Sequence, residues 1–157
     1  MRIGFGTDTH RLVEGETLII GGVEIDYIKG CDGHSDGDAL IHAICDSMLG
    51  ALALRDIGFH FPDNDVVNKD RNSADFLIYT VSLIKSRGYK VGNIDSVIHI
   101  QEPKMNPHIE EMINTLANIM SINNDQISIK AKTGEKVGII GRGEVISVDA
   151  IALLEKV

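Results

Sequence analysis

Residues 2 to 13 alternate so regularly that they predict a strand with two dissimilar faces. Ile3, Phe5, Thr7 and Thr9 share one side, and Gly4, Gly6, Asp8 and His10 share the other. The two glycines leave room for another part of the chain to approach closely. Beyond them a carboxylate and an imidazole point the same way, two residues apart. Whatever fold forms has to cover the glycines and still leave Asp8 and His10 usable.

A second polar concentration runs from His34 to Asp46. Ser35-x-x-Asp38 has the form of a capping box and predicts a helix from there to about residue 54. Leu40, Ile44, Met48, Leu49 and Leu52 would cover a core, leaving Asp38, His42 and Asp46 on a polar stripe at spacings of four. Between strand and helix, residues 17 to 28 set two apolar runs about Gly21-Gly22, the pattern of a hairpin, expected at the sheet edge. Lys29 to Gly33 reads as a loop, and residues 55 to 72 as a connection long enough to be functional or mobile.

A second helix is expected from Asn72 or Ser73 to Gly88, burying Leu77, Val81 and Ile84, followed by a strand at about 92 to 102. A third helix follows Asn106, with Pro107 in its first turn and a stripe of Ile109, Met112, Ile113, Leu116 and Met120. Strands near 126 to 133 and 143 to 156 close the chain. The sum is an α+β fold over residues 1 to 157: a single-domain α/β sandwich with a mixed β-sheet, helices on one face and a small β-hairpin. No helix remains for the other sheet face, which predicts self-association.

No apolar run approaches the roughly 18 residues needed to span a bilayer, and Met1 to Gly6 lacks a signal-peptide core. A cytoplasmic protein is expected, or a mature form, such as a plastid one, trimmed of its targeting segment. The net charge of −8 argues against nucleic acid or a membrane surface as main partner. An anionic small substrate would need a local metal ion or lysines. Cys31 and Cys45 are too few and too far apart for a disulfide framework and are expected to be reduced.

Asp8, His10 and His42 offer one oxygen and two nitrogens, the three-ligand pattern of an open zinc site, although surface or core polar residues would give the same letters. His34-Ser35 before a helix suits a phosphate, whereas Ser35 could serve only as a cap. Lys130, Lys132 and Lys136 about Thr133 and Glu135 suit a diphosphate with its Mg²⁺, or an ordinary charged turn. His60, His99 and His108 show no acidic or histidine neighbour at metal spacing and are expected to be non-ligands.

Taken in order, G-F-G-T-D-T-H, I-I-G-G-V, H-S-D-G-D, D-I-G, F-P-D, P-K-M-x-P-H-I and G-R-G-E span residues 4 to 144. This set resembles the 2-C-methyl-D-erythritol 2,4-cyclodiphosphate synthases of non-mevalonate isoprenoid biosynthesis. The resemblance implies a homotrimer with sheets packed around its axis and active sites between subunits. Each site would use one divalent ion, usually Zn²⁺, with Mg²⁺ or Mn²⁺ on the substrate's cytidine diphosphate. By motif, Asp8, His10 and His42 would hold the zinc and Glu135 would contact the second metal, with His34 and Thr133 as the catalytic pair.

Ser35 and Asp46 are implied as substrate-binding, as are Asp56, Ile57, Gly58, Phe61, Pro62, Asp63, Asn64 and Asp65 about the methylerythritol and phosphate. Ile100, Gln101, Glu102, Pro103, Lys104, Met105 and Asn106, with Ala131 and Lys132, would surround the nucleotide. Ile139 and Arg142 would lie near the trimer axis, where members of the family can meet an isoprenoid diphosphate. Lys132, Gly134 and Ile139 depart from common family residues. Two other functions fit the same letters: a zinc-dependent hydrolase that activates water, and a trimeric ligand sensor without turnover.

Overall fold

Close contact between one strand and one helix sets the architecture. In the computed structural model, which describes residues 1–33, 35–62 and 71–157, strand β1 (Arg2–Glu14) lays its glycine face on helix α1 (Ala39–Ala51). A Cβ on Gly4 would stand 1.9 Å from the Ser47 carbonyl oxygen, and one on Gly6 2.2 Å from that of Ala43. Backbone therefore meets backbone, and no other residue fits at either position.

Five strands form a mixed sheet in the order β4-β1-β7-β5-β6. The long pairings are antiparallel: β1 with β7 (Val145–Lys156), from Arg2↔Leu154 to Arg11↔Val145, and β7 with β5 (Tyr89–His99). β6 (Ile127–Lys132) runs parallel to β5, a pairing that needs a crossover, supplied by α4 (Ile109–Met120). α1, α3 (Ser73–Ser86) and α4 lie on one sheet face. Leu40, Ile44, Met48, Leu77, Ile84, Met112 and Leu116 pack there against Ile94, Ile98, Val148 and Leu154. Removing each from water contributes about 1.5–3 kcal/mol, which holds the two layers together.

Among the described residues nothing covers the other sheet face: Ile3 is 72% exposed, Phe5 61% and Ile151 47%. Phe5 and Ile151 are cross-strand partners, so these side chains adjoin. The expected segments Leu77, Val81 and Ile84 of α3, and Met112, Leu116 and Met120 of α4, are buried, while Ile109 and Ile113 are half-buried.

Several local expectations need correction. Helix α1 begins at Ala39, with Asp38 rather than Ser35 as its cap. Asp38 is wholly buried and leaves the polar stripe, because its carboxylate accepts from Ile41 N (3.0 Å), Gly21 N (2.9 Å) and Gly22 N (2.7 Å). Those glycines take φ of 61° and 75° in the turn between β2 (Leu18–Ile20) and β3 (Val23–Ile25), so one acid ties the hairpin to the helix start. The hairpin is a separate two-stranded sheet and not an edge of the main one. Lys29–Asp32 is strand β4, paired with the end of β1, where a loop was expected. β5 begins and ends three residues before the expected strand, and short helices α2 (Ile57–His60) and α5 (Gly138–Gly141) interrupt two connections.

Candidate active site

Because Asp8 and His10 follow the glycines on the same face of β1, they emerge where α1 begins. His42, in the first turn of that helix and 8% exposed, completes the group. Asp8 Oδ2 lies 2.8 Å from His10 Nε2 and 3.1 Å from His42 Nδ1. One ligand atom from each of the three residues lies within 4.8 Å of the others.

Hydrogen-bond inventory explains why this geometry calls for a cation. His10 Nδ1 is 3.2 Å from the Asp32 carbonyl oxygen on β4. A carbonyl only accepts, so Nδ1 of the neutral ring carries the proton and Nε2 presents a lone pair. That Nε2 is buried, and what faces it is the Asp8 carboxylate oxygen at 2.8 Å, which has no proton to give. A buried nitrogen facing a carboxylate oxygen is costly unless a proton or a metal lies between them. In the absence of metal a proton does this: hydrogen bonding to Asp8 raises His10 above its ordinary range, against the opposing effect of burial. Burial pushes Asp8 up, but His10 and His42 outweigh it and hold the carboxyl well below the usual carboxylate range. The donor set, one oxygen and two nitrogens, fits zinc.

Around the triad, Ser35 Oγ accepts from Gly37 N at 3.3 Å and lies 3.4 Å from His42 Nε2. Ser73 Oγ is closer to the same nitrogen, at 2.8 Å. Asp46, also half-buried, accepts from Ile57 N at 2.8 Å and so anchors α2, whose cap is Asp56 (Phe59 N, 2.8 Å). Burial raises Asp46 above its ordinary value. Phe61 packs between Phe76 (4.7 Å) and Tyr79 (4.9 Å), and Phe76 reaches the His42 ring at 5.7 Å. The α2 segment with Asp56, Ile57 and Gly58 is thus fastened beside the triad, and Pro62 follows it, exposed. His34, Asp63, Asn64 and Asp65 lie outside the described residues.

The residues expected about a nucleotide gather separately. Ile100, Gln101, Pro103, Lys104, Met105, Asn106, Ala131, Lys132 and Thr133 line a cavity of about 290 Å³. Glu102 instead faces a second hollow of about 380 Å³ with Tyr27, Lys29, Lys136 and Arg142. Thr133 Oγ1 donates to Glu135 Oε1 at 2.6 Å, while Glu135 and Lys136 take positive φ of 49° and 63°. Glu135 is not part of the triad cluster. Ile139, in α5, is half exposed, and Arg142 pairs with Glu144.

Triad and cavity share one end of the sheet without touching. The paired row is Asp8↔Val148↔Ile98↔Ala131, so two strands carrying fully buried side chains stand between them. With strands about 4.8 Å apart, Asp8 and Ala131 are about 14 Å from each other.

Ser73 escaped the sequence reading because 31 positions separate it from His42 and it reads as an ordinary helix start. His99, expected to be a non-ligand because no partner stands beside it in sequence at metal spacing, has Asp149 at 3.1 Å, brought by adjacent strands. Alternation puts that pair on the face away from the helices, so it joins no metal group. Both cysteines are buried and free, as expected.

The YgbB family matches residues 1–155. A 2-C-methyl-D-erythritol 2,4-cyclodiphosphate synthase of Porphyromonas gingivalis is 52% identical over 153 residues, 98% of this chain and 94% of its own. Its counterpart in Chloroherpeton thalassium is 50% identical over 157 residues, the whole of both chains. A solved 2C-methyl-D-erythritol-2,4-cyclodiphosphate synthase in a CDP-bound form has a TM-score of 0.91 at 36% identity, covering 98% of this chain and 100% of that one.

Proposed function

The chain belongs to the YgbB family, and from that premise we propose that it converts 4-diphosphocytidyl-2-C-methyl-D-erythritol 2-phosphate into 2-C-methyl-D-erythritol 2,4-cyclodiphosphate and CMP. The observation that carries this is the convergence of Asp8, His10 and His42, one ligand atom from each lying within 4.8 Å of the others. A phosphoryl-transfer enzyme needs such a cation holder and a nucleotide cavity, and needs no nucleophilic side chain when the nucleophile is the substrate's own phosphate.

The 2-phosphate oxygen forms a bond to the β-phosphorus, the bond from that phosphorus to the CMP oxygen breaks, and CMP leaves with the electron pair. Both reacting groups belong to one molecule, so the protein's task is to hold it curled. Zinc, when bound, would lower the charge repulsion between the phosphates. Asp8, His10 and His42 hold that ion, and Ser35 offers its backbone N–H to phosphate. Asp46 positions α2 so that Asp56, Ile57 and Gly58, followed by Phe61 and Pro62, line the methylerythritol pocket, and the family motif assigns Asp63, Asn64 and Asp65 to the same substrate. Lys104 and Lys132 neutralise the nucleotide phosphates within the cavity formed by residues 100 to 106 and 131 to 133. His34 and Thr133 donate to the charge that builds on the transferring phosphate, Thr133 turning its hydroxyl there from Glu135, which would then be free to hold Mg²⁺ or Mn²⁺.

A trimer is part of this reading. Within one chain buried Val148 and Ile98 stand between the triad and the nucleotide cavity, and among the described residues nothing covers the exposed Ile3, Phe5 and Ile151 on the other sheet face. Packing those faces together supplies the cover and sets one subunit's triad against another's cavity. Among the described residues no helix is long and apolar enough to cross a membrane.

The test is incubation of the purified protein with the cytidylyl substrate, following CMP and the ³¹P spectrum. Cyclic diphosphate with stoichiometric CMP is expected. An opened phosphate would replace the proposal with a hydrolase, and unchanged substrate with a sensor. His42→Ala is expected to lose zinc and turnover together.

A further inference from the structure

His42 has two ring nitrogens, and only the one without a proton can hold a metal. What decides between them lies outside the triad. Ser73, the first residue of α3 and fully buried, sets its Oγ 2.8 Å from His42 Nε2. The Ser73 hydroxyl donates in turn to Asp36 Oδ1, while Asp36 Oδ2 accepts from Ser73 N at 2.9 Å. Asp36 is itself held by Asp38 N, at 3.2 Å to Oδ1.

The direction of every bond in this chain follows from the chemistry. An ionised carboxylate has no proton to give, so the single hydroxyl proton of Ser73 goes to Asp36. Ser73 Oγ then faces His42 with lone pairs only, and the bond forms when Nε2 carries the ring proton. Nδ1 is then the nitrogen whose lone pair is open to a proton or a metal ion shared with Asp8 Oδ2, 3.1 Å away. We propose that Asp36 and Ser73 form a positioning relay that fixes His42 as the Nε2–H tautomer and so delivers Nδ1 as a metal ligand.

His10 is treated the same way by a different device, since the Asp32 carbonyl fixes its Nδ1–H. Each histidine is thereby oriented through its outer nitrogen, an arrangement that raises metal affinity. Because Asp36 sits in the segment before α1 and Ser73 heads α3, the relay also joins the two helix starts across 37 residues of sequence. The proposal rests on the metal-holding role of the triad given above.

Two measurements on the full-length protein test it. The first is zinc affinity of wild type, Ser73→Ala and Asp36→Asn, read by competition with a chromophoric chelator. The second is the His42 tautomer in metal-free wild type at alkaline pH, read from long-range ¹H–¹⁵N correlations. Zinc affinity is expected to fall about tenfold to a hundredfold in Ser73→Ala, and to a smaller extent in Asp36→Asn, which keeps the shape and loses the anionic acceptor. The ring is expected to show Nε2–H in wild type. Equal zinc affinity across the folded variants, or a ring protonated at Nδ1, overturns the relay while leaving the triad intact. Absence of zinc binding in wild type overturns the triad instead, and the tautomer still decides on the relay. Should Ser73→Ala not fold, Asp36→Asn and the wild-type tautomer carry the test.

Discussion

Gly6→Ala isolates the contact on which both fold and site depend. The new Cβ would lie 2.2 Å from the Ala43 carbonyl oxygen and 2.6 Å from Ser47 N, both backbone atoms of α1. Neither can rotate away, so the helix has to retreat from β1 by about 1 Å in an interior with no slack. Overpacking of this kind costs about 1–3 kcal/mol, occasionally more. At an m-value of about 2 kcal/mol/M, a cost of about 3 kcal/mol lowers the urea midpoint by about 1.5 M. The same retreat carries His42 Nδ1 away from Asp8 Oδ2, now 3.1 Å apart. Zinc bonds of about 2.0–2.2 Å do not stretch to follow, so zinc affinity should fall along with stability. Gly15→Ala is the control: φ there is +87° and nothing lies within 4 Å, so backbone strain costs about 1–2 kcal/mol and zinc affinity stays unchanged. A Gly6→Ala protein with wild-type urea midpoint and wild-type zinc affinity would refute the claim that the glycine face sets the metal-site distances.

Four other outcomes are expected. In metal-free protein, Asp8 is held below its ordinary 3.8, so its contribution to stability is present above that pH and is lost as pH falls; His10 is held above its ordinary 6.5, so its contribution is present below that pH and is lost as pH rises. Urea midpoints after chelator treatment should therefore peak between these values, and a monotonic profile would count against the Asp8–His10 pair. Burial pushes the Cys31 thiol up to about 12 and raises Cys45 further, so neither should react with Ellman's reagent at pH 8 until the protein is unfolded. Asp38→Ala leaves the N–H groups of Gly21, Gly22 and Ile41 without their acceptor and should cost about 3–5 kcal/mol in urea unfolding. If the proposed trimer packs through this sheet face, Phe5→Asp or Ile151→Asp should give monomers of unchanged circular dichroism where the wild type sediments as a trimer.

What was legible beforehand followed from periodicity and local stereochemistry. The two faces of β1, the glycine turn of the hairpin, the Asn72 cap and Gly88 stop of α3 and the stripe of α4 are each written within a few residues, and each formed as read. Errors arose where a distant partner decided. Ser35 and Asp38 are both capping residues by type, and what selects Asp38 is the pair of hairpin amides some 17 positions upstream. Lys29–Asp32 has no strand alternation, yet pairs with β1 because the hairpin returns it there. In the site, the D-x-H pair was visible as a pattern, while its meeting with His42 and the role of Ser73 exist only once α1 and α3 converge.

That convergence also resolves how a chain of net charge −8 can receive a substrate with several phosphates. His42 lies in the first turn of α1, and Ser73, the first residue of α3, touches it, so two helix N-termini open on the same spot. Each helix dipole places about half a positive charge there. The acids nearest the spot are already spent: Asp36 on Ser73, Asp38 on the hairpin, Asp46 on α2, and Asp8 between two imidazoles. Backbone N–H donors offset the charge of Asp36, Asp38 and Asp46, and the cation that Asp8 would share with the two imidazoles offsets its own. A cation bound to the triad would then face the phosphates with two helix dipoles behind it. The glycines of β1 make this possible, because only a helix resting on bare backbone brings its first turn within reach of Asp8.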